Sequence, residues 1–192
     1  MDDRLVRTFL SVPLPVEVKA KKNMFYSTID QSKSHINWVK SQNLHLTLKF
    51  IGYTPENMFD KIISELSKVF LNEKPFSITI QKTGCFPLPE KPRTLWMGID
   101  GNTSSLRNLV LNIENTMEAL GFPKDDKNYF PHITIARIRY PQKITPDVKI
   151  FLKSHYDPIV FVIDRVQFLA SELLKTGAFY STIKSFPLGE SF

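Results

Sequence analysis

The sequence predicts an α+β protein with two lobes, each an antiparallel sheet with flanking helices, related by a pseudo-twofold axis around a central groove. Predicted strands come in pairs between the helices, an order that favours antiparallel sheets over a doubly wound parallel sheet. Two short stretches, His45–Leu48 and His132–Ile135, repeat the pattern His, aliphatic, Thr, aliphatic, one in each half of the chain. No linker rich in Gly or Ser separates the halves. We therefore expect residues 1–192 to form a single bilobal domain with one His-x-Thr stretch in each lobe.

The first half of the chain is predicted to contain five strands and two helices. The segment 16–32 carries apolar residues at helical spacing among long polar ones. Thr54, Pro55 and Glu56 have the features of a helix start, with Thr as the cap and Pro in the first turn. The apolar residues that follow recur at helical spacing, so one side of this second helix should lie in the core. Strands are predicted from apolar and alternating patterns over residues 7–12, 36–39, 44–51, 76–80 and 94–99.

The second half begins with a long amphipathic helix, predicted over 103–120. Its apolar residues recur at helical spacing, and Gly121 supplies a typical helix end. Thr145, followed by Pro146, opens a short predicted helix over 145–153. Strands are predicted over residues 132–138, 159–169 and 178–183, the last two joined by a turn at 175–177.

The two His-x-Thr stretches should each present their polar side chains on one face of a strand. Side chains alternate between the faces of an extended strand, so residues two apart share a face. In the first stretch, the leucines would then lie in the core while His45 and Thr47 point to the opposite side. The second stretch repeats this arrangement, with His132 and Thr134 pointing out of the core. Two such strands facing one groove would supply two imidazoles and two hydroxyls in a near-symmetric arrangement.

This set of side chains is suited to metal-free phosphoester chemistry. A neutral imidazole can accept a proton from an attacking water, and a charged one can protonate the departing ribose oxygen. The hydroxyls of Thr47 and Thr134 can donate to the phosphoryl oxygens. The residues alone leave open which histidine is the acid and which is the base. One His-x-Thr stretch is a weak signal, but two matching copies are hard to attribute to chance, whereas His35 and His155 lack this context and are expected at the surface.

Charge and composition limit the classes of function. The formal net charge is +6 and the isoelectric point is about 9.3, which fits either a lysine-rich surface or attraction to a polyanion such as RNA. The apolar runs are far shorter than the roughly 20 residues that span a bilayer, and the first residues are acidic where a secretory signal would be basic. The single cysteine, Cys85, excludes an intramolecular disulfide, and no cluster at ligand spacing suggests a metal. We expect a cytoplasmic protein without metal or other cofactor.

The chain resembles the 2H phosphoesterase superfamily, and within it the bacterial and archaeal RNA 2′,3′-cyclic phosphodiesterases once called 2′-5′ RNA ligases. The similarity extends over essentially the whole length. The paired His-x-Thr stretches are markers of the superfamily, and the intervening Phe-Pro and Pro-Arg pieces indicate this branch. The segments that carry the resemblance are 7–9, Trp38, 43–52, 84–87, 92–96, 130–137 and 177–180.

The resemblance implies hydrolysis of an RNA-terminal 2′,3′-cyclic phosphate to a 2′-phosphomonoester, without metal or nucleotide cofactor. It assigns His45 as the proton donor and His132 as the proton acceptor. It also implies that Arg137 helps to bind the substrate, and that a weak, reversible 2′-5′ joining of RNA ends can accompany hydrolysis. The expected partner is RNA with a cyclic phosphate terminus. No membrane or protein partner is implied, and a monomer is expected because no heptad or large apolar stripe is present.

The directions of two cationic side chains near the motifs depend on the local geometry of the strands. Strict alternation would place Arg137 on the face opposite His132, unless a bulge or strand end turns it back. Lys49 lies four residues after His45 and would share its face of the strand, but an exposed lysine on a strand is commonly only solvated.

Other residues near the motifs have an ordinary structural interpretation beside the functional one. Arg93 would lie either near phosphate or in a surface loop, and Cys85 is interpreted as an inert thiol. Phe9 and Tyr180 could stack on a base. Core packing is nevertheless the expectation for Phe9, as it is for both tryptophans.

The residues are also compatible with other functions. The same two histidines could act on a small cyclic nucleotide, on ADP-ribose 1″,2″-cyclic phosphate or on a 2′-5′ oligoadenylate, since only the contacts of the pocket would differ. A non-catalytic RNA-binding module is an alternative of another class. Two matched acid–base groups argue against it, because a binding module has no need of them.

Overall fold

The computed structural model describes residues 4–32, 34–175 and 177–189. Nine strands and four α-helices are formed by these residues. The strands are β1 (Leu5–Pro13), β2 (Ile36–Trp38), β3 (His45–Pro55), β4 (Phe76–Phe86), β5 (Thr94–Asp100), β6 (His132–Ile138), β7 (Ile159–Ile163), β8 (Arg165–Leu174) and β9 (Gly177–Pro187). The helices are α1 (Val16–Asn23), α2 (Phe59–Leu71), α3 (Ser104–Ala119) and α4 (Lys149–Leu152).

The strands form two antiparallel sheets. The first sheet has the order β3-β1-β8-β9, so strands from both ends of the chain meet at its centre. The second sheet has the order β2-β6-β5-β4-β7. β3 forms an edge of the first sheet, β6 lies between β2 and β5, and the two strands contact each other. The predicted α+β class with two antiparallel sheets is confirmed, and the two His-x-Thr stretches lie on these two neighbouring strands.

Helices pack on the faces of the sheets that lie opposite the His-x-Thr side chains, and we call the region on the His-x-Thr side the groove. Phe59 of α2 packs edge-to-face on Phe168 of β8, with ring centroids 5.4 Å apart, and α3 contacts β3. Phe151 of α4 accepts a hydrogen bond from Thr83 of β4 at its carbonyl, 2.8 Å away, which joins α4 to the second sheet. No helix in the described part of the chain has both the length and the apolar character that crossing a bilayer requires.

One predicted strand is in fact two strands in different sheets. Residues 159–169 form β7, which pairs with β4 in the second sheet, and then the start of β8, which pairs with β1 in the first. The chain changes sheets at Asp164, whose carboxylate accepts a hydrogen bond from Arg165 at 2.9 Å. Neither Gly nor Pro marks this crossing, and the apolar pattern continues on both sides of it. The single-strand prediction was therefore wrong in its extent, although both halves are extended.

Three predicted helices are shorter than expected. α1 gives way to a 3₁₀ turn over Met24–Thr28, and α4 occupies only four of the nine predicted residues. Thr54 does not cap a helix, because it belongs to β3 and its hydroxyl hydrogen-bonds to the Thr8 hydroxyl at 2.7 Å. The helix after it begins with a 3₁₀ turn at Glu56. Thr176, in the predicted turn between the last two strands, lies outside the described residues.

Candidate active site

The first motif is displayed on the groove side of β3. His45 and Thr47 are half-buried and lie opposite Pro13 and Ser11 of β1. The intervening Leu46 is fully buried in the hydrophobic core. The alternation predicted from the sequence is therefore present, with apolar residues inside and polar residues on the other face.

The second motif repeats this arrangement on β6. His132 and Thr134 are half-buried and lie opposite Gly98 and Trp96 of β5. The alternate residue Ile133 is fully buried. β3 and β6 are in contact, and a charge on His132 acts on His45, so the two half-buried imidazoles lie near each other between the sheets.

Both imidazoles are oriented by the same backbone contact. Nδ1 of His45 lies 2.7 Å from the carbonyl oxygen of Asn43, and Nδ1 of His132 lies 2.9 Å from that of Phe130. A carbonyl oxygen only accepts, so each Nδ1 carries the hydrogen and each Nε2 is the reactive nitrogen. A neutral ring then offers a lone pair at Nε2, and a charged ring offers an N–H there. The matched geometry permits either ring to act as acid or base.

Aromatic rings surround both imidazoles. The rings of Phe9 and Tyr180 lie 5.0 and 5.4 Å from His45 between centroids, and those of Phe86 and Phe130 lie 5.2 and 6.2 Å from His132. Phe9 is itself buried, as predicted. These apolar neighbours remove water from the rings, and water is what stabilises the charged form.

The environment lowers the pKa of both histidines below the ordinary value of 6.5. Burial is the largest cause for each ring, and the hydrogen bond to the backbone carbonyl partly opposes it. The positive charge of Arg137 lowers the pKa of both rings further, and a charge on His132 also lowers the pKa of His45. The two rings and the guanidinium therefore form one electrostatically coupled group.

A bulge in each motif strand decides where the next cation points. In β6, Trp96 of β5 pairs with Thr134 while Leu95 pairs with Ala136, so Ile135 is an extra residue. The alternation shifts by one position there, and Arg137 is exposed on the same face as His132. The turn-back that the sequence left open for Arg137 is present, since its charge acts on both imidazoles.

The corresponding bulge in β3 sends its lysine inward. Ser11 of β1 pairs with Thr47 while Leu10 pairs with Lys49, so Leu48 is the extra residue. Lys49 is 1% exposed, and its ammonium group donates to a carboxylate oxygen of Glu114 in α3 at 2.6 Å. The expectation of a solvated Lys49 on the face of His45 was therefore wrong, because the bulge reverses its direction.

The loop before β6 ties the two motif strands together. The hydroxyl of Tyr129 donates to the backbone carbonyl of Thr47 at 2.9 Å, and the ammonium group of Lys49 donates to the carbonyl of Pro123 at 2.9 Å. Burial raises the pKa of the Tyr129 phenol, so it remains a hydrogen-bond donor. Tyr129 could not be found from the sequence, since a tyrosine in a loop carries no periodic signal.

The remaining candidates lie apart from this group. The Arg93 guanidinium is exposed and lies 5.6 Å from the centroid of the Tyr140 ring. Burial raises the pKa of the Cys85 thiol, which fits an inert side chain. His35 and His155 are exposed, as expected. Within the described ranges, no group of three or more His, Cys, Asp or Glu side chains is arranged to hold a metal ion.

Comparisons with known proteins indicate one family for this chain. A family described as LigT like Phosphoesterase matches residues 12–96. An RNA 2′,3′-cyclic phosphodiesterase of Thermotoga maritima is 30% identical over 93% of this chain and 93% of its own length. One of Aquifex aeolicus is 31% identical over 79% of this chain and 81% of its own length.

Solved structures extend the likeness to the whole fold. A crystal structure of a Thermus thermophilus protein has a TM-score of 0.78 and 26% identity, covering 96% of this chain and 100% of that one. A structure of Escherichia coli LigT with 3′-AMP also has a TM-score of 0.78, at 19% identity, and covers 97% of this chain and 99% of that one. At that identity the second comparison supports the fold alone.

Two antiparallel sheets, each with a His-x-Thr strand, together with these matches indicate a phosphoesterase of the two-histidine class. The Thermotoga maritima relative, which is 30% identical over 93% of this chain, narrows this class to one family. The chain belongs to the LigT-like phosphoesterases, a family of enzymes, and the resemblance stated from its motifs is confirmed.

Proposed function

We propose that this protein is an RNA 2′,3′-cyclic phosphodiesterase that opens a terminal cyclic phosphate to a 2′-phosphomonoester by metal-free catalysis with His45 and His132. The observation that carries the proposal is the matched pair of imidazoles, each held at Nδ1 by a backbone carbonyl so that Nε2 is the reactive atom. Curated relatives that bear this name support the substrate class.

The proposed reaction breaks the bond between phosphorus and the ribose 3′ oxygen. Water attacks phosphorus in line with that oxygen, and Nε2 of His132 takes a proton from the water as the new P–O bond forms. His45 starts charged and gives its Nε2 proton to the departing 3′ oxygen. The products are a 2′-phosphate and a free 3′-hydroxyl, with His132 charged and His45 neutral. Proton exchange with solvent restores the starting state.

Three further side chains have proposed roles in stabilising the phosphoryl group. The hydroxyls of Thr47 and Thr134 lie on the same faces as the two imidazoles and would donate to the non-bridging oxygens. Arg137 would bind the same oxygens through its guanidinium, whose planar donors suit a phosphate. Charge that develops on these oxygens in the transition state would then meet donors already in position.

The electrostatics of the pair disfavour a state in which both imidazoles are charged. A charge on one imidazole disfavours a charge on the other, as the lowering of the His45 pKa by His132 indicates. A singly protonated pair, one acid and one base, therefore persists over a wider pH range than two independent rings would allow. The direction of the proton transfers follows the family resemblance, since the geometry alone is symmetric.

The test uses a short RNA ending in a 2′,3′-cyclic phosphate, in buffer with EDTA. Removing one acid–base group should lower the rate by about 10²–10⁴-fold in each of His45→Ala and His132→Ala. His35→Ala and His155→Ala, which change exposed histidines outside the site, are the matched controls and should retain full activity. A 3′-phosphate product, or activity that EDTA abolishes and a divalent ion restores, would contradict the proposal.

The same groups could also join the cyclic phosphate end of one RNA to a second RNA. We therefore include weak 2′-5′ joining in the proposal. A 5′-hydroxyl of a second RNA would replace water as the nucleophile, and the 3′ oxygen would again leave. Adding a 5′-hydroxyl RNA in excess should yield a small amount of joined product that is lost in both histidine variants. We further propose that residues 1–192 act as one bilobal domain, as a cytoplasmic monomer.

A further inference from the structure

A strip of exposed side chains continues from the candidate active site along the groove face of the first sheet. Phe50 of β3 lies opposite Phe9 of β1, and Tyr53 lies opposite Arg7. Directly paired residues share a face, so Phe50, Tyr53 and Arg7 point to the same side as His45. Phe50 is 52% exposed, Tyr53 is 73% exposed, and Arg7 is also exposed. We call these three residues the aromatic strip.

The bulge of β3 creates this strip. Phe50 stands five residues after His45, just as Arg137 stands five residues after His132, and each follows the extra residue of its strand. The same backbone irregularity therefore projects a ring from one sheet and a guanidinium from the other. A second shift of register at Ile51 brings Tyr53 to the same face.

The strip is continuous with the catalytic pair. The centroid of the Phe9 ring lies 5.0 Å from that of His45 and 5.9 Å from that of Phe50. Tyr53 pairs with Arg7, two residues along β1 from Phe9, so it lies roughly 7 Å beyond Phe50 at about 3.3 Å per residue. Next to it, Arg7 has no ion pair with any described residue. Exposed rings beside a cation that has no ion pair with a described residue suit an RNA strand, which has stacked bases and a charged backbone.

We propose that the aromatic strip binds the nucleotides immediately 5′ of the cyclic phosphate, with bases stacked on Phe50 and Tyr53 and a backbone phosphate paired with Arg7. This rests on the proposed function, since the RNA end must lie between His45 and His132. Stacking tolerates every base because each has a π-face, so the strip selects for chain length and not for sequence. It distinguishes an RNA end from a free cyclic mononucleotide.

The test compares two substrates, an RNA of about eight nucleotides and a nucleoside, each with a 2′,3′-cyclic phosphate. The wild type should prefer the longer one in kcat/KM. Phe50→Ala and Tyr53→Ala should each reduce that preference by about 5-fold to 100-fold, mainly through KM, as expected for the loss of one stacked base. Phe50→Leu, which keeps the packing against Phe9, should show a similar loss.

Controls on the opposite face of the first sheet match these variants. Phe179 is 51% exposed but pairs with Glu172 on the face away from Tyr180, so Phe179→Ala removes an equally exposed ring outside the groove. Lys61 is an exposed cation on α2 and serves as the control for Arg7. Arg7→Gln should lower the slope of log KM against log salt by about 0.7, the value for one phosphate contact with a single strand, and Lys61→Gln should not.

Binding of the octamer that already ends in a 2′-phosphate separates this proposal from the proposed function. Fluorescence anisotropy needs no turnover. Weaker binding in the strip variants than in the controls supports the strip even where the cyclic phosphate is not opened. Equal octamer binding by all variants, or a wild type that hydrolyses both substrates equally well, overturns the strip even where the cyclic phosphate is opened as proposed.

Discussion

Replacing Lys49 by methionine should lower the free energy of unfolding by about 3–5 kcal/mol, the cost of breaking a buried ion pair from one side. The Lys49 side chain is 1% exposed and that of Glu114 is 11% exposed, with 2.6 Å between the ammonium nitrogen and the carboxylate oxygen. Methionine keeps most of the length and the apolar stem of lysine, so the loss is mainly that of the charge. A buried Glu114 carboxylate then has no cation beside it. In thermal unfolding this corresponds to a decrease in Tm of about 6–20 °C for a chain of this size.

The chain supplies a control at the same distance. Lys68 and Glu65 are also 2.6 Å apart, but their side chains are 67% and 38% exposed. Lys68→Met should therefore cost less than about 1 kcal/mol, because water screens the pair. Urea unfolding at neutral pH, followed by tryptophan fluorescence and by circular dichroism, measures both variants on one scale and checks for two-state behaviour.

A double variant separates the ion pair from the packing. Lys49→Met with Glu114→Leu removes both charges and should recover stability to within about 1 kcal/mol of the wild type, since only the Pro123 carbonyl loses its donor. The reasoning is refuted if Lys49→Met costs no more than Lys68→Met, or if the double variant is as unstable as the single one. Either result would mean that Lys49 does not point into the interior.

The remaining predictions concern the titration and packing of the site. Arg137→Gln removes a charge that lowers the pKa of both histidines. The bell-shaped pH profile of kcat/KM should therefore move to higher pH. A profile that keeps its position but has a lower maximum would leave Arg137 only a role in substrate binding. The pKa values of His45 and His132 are lowered on folding, so the unfolded chain binds more protons than the folded one. Stability that is present above pH 6.5 is therefore lost as the pH falls towards the lower pKa values of the folded state. The double variant His45→Gln/His132→Gln should show a smaller loss in urea titrations across that window, and an identical loss would contradict the cause given. Gly84→Ala places a Cβ against the Trp96 ring, closer than real contacts allow, so the ring must move. We expect the free energy of unfolding, measured with urea, to fall by about 1–3 kcal/mol. An unchanged urea midpoint would contradict this contact.

Much of the site could be predicted from the sequence because strand alternation is a local property. Period-two patterns correctly predicted that Leu46 and Ile133 are buried in the core while His45 and His132 lie on the other face and are only half-buried. The bounds of β6 were also predicted in full. These features depend only on which residues are apolar and on the geometry of an extended chain, so no distant contact is needed to infer them.

The directions of Lys49 and Arg137 could not be derived in this way. Each lies beyond its motif threonine, and each is turned by a bulge that exists only in the pairing with a neighbouring strand. The pattern of apolar residues continues through the extra residue without a glycine or proline to mark it. Alternation therefore fails at that point, and the two cations point to opposite sides: one binds Glu114 in the interior and the other faces the groove.

The class of fold and the two polar pairs could be predicted from the residues alone, because residue type and spacing carry that information along the chain. The assembled sheets were needed to show that residues 159–169 divide between two sheets, that Tyr129 joins the motif strands, and that burial lowers the pKa of both histidines. These features arise from contacts between residues far apart in sequence. Their free energies depend on which strands become neighbours, and no local pattern encodes that choice.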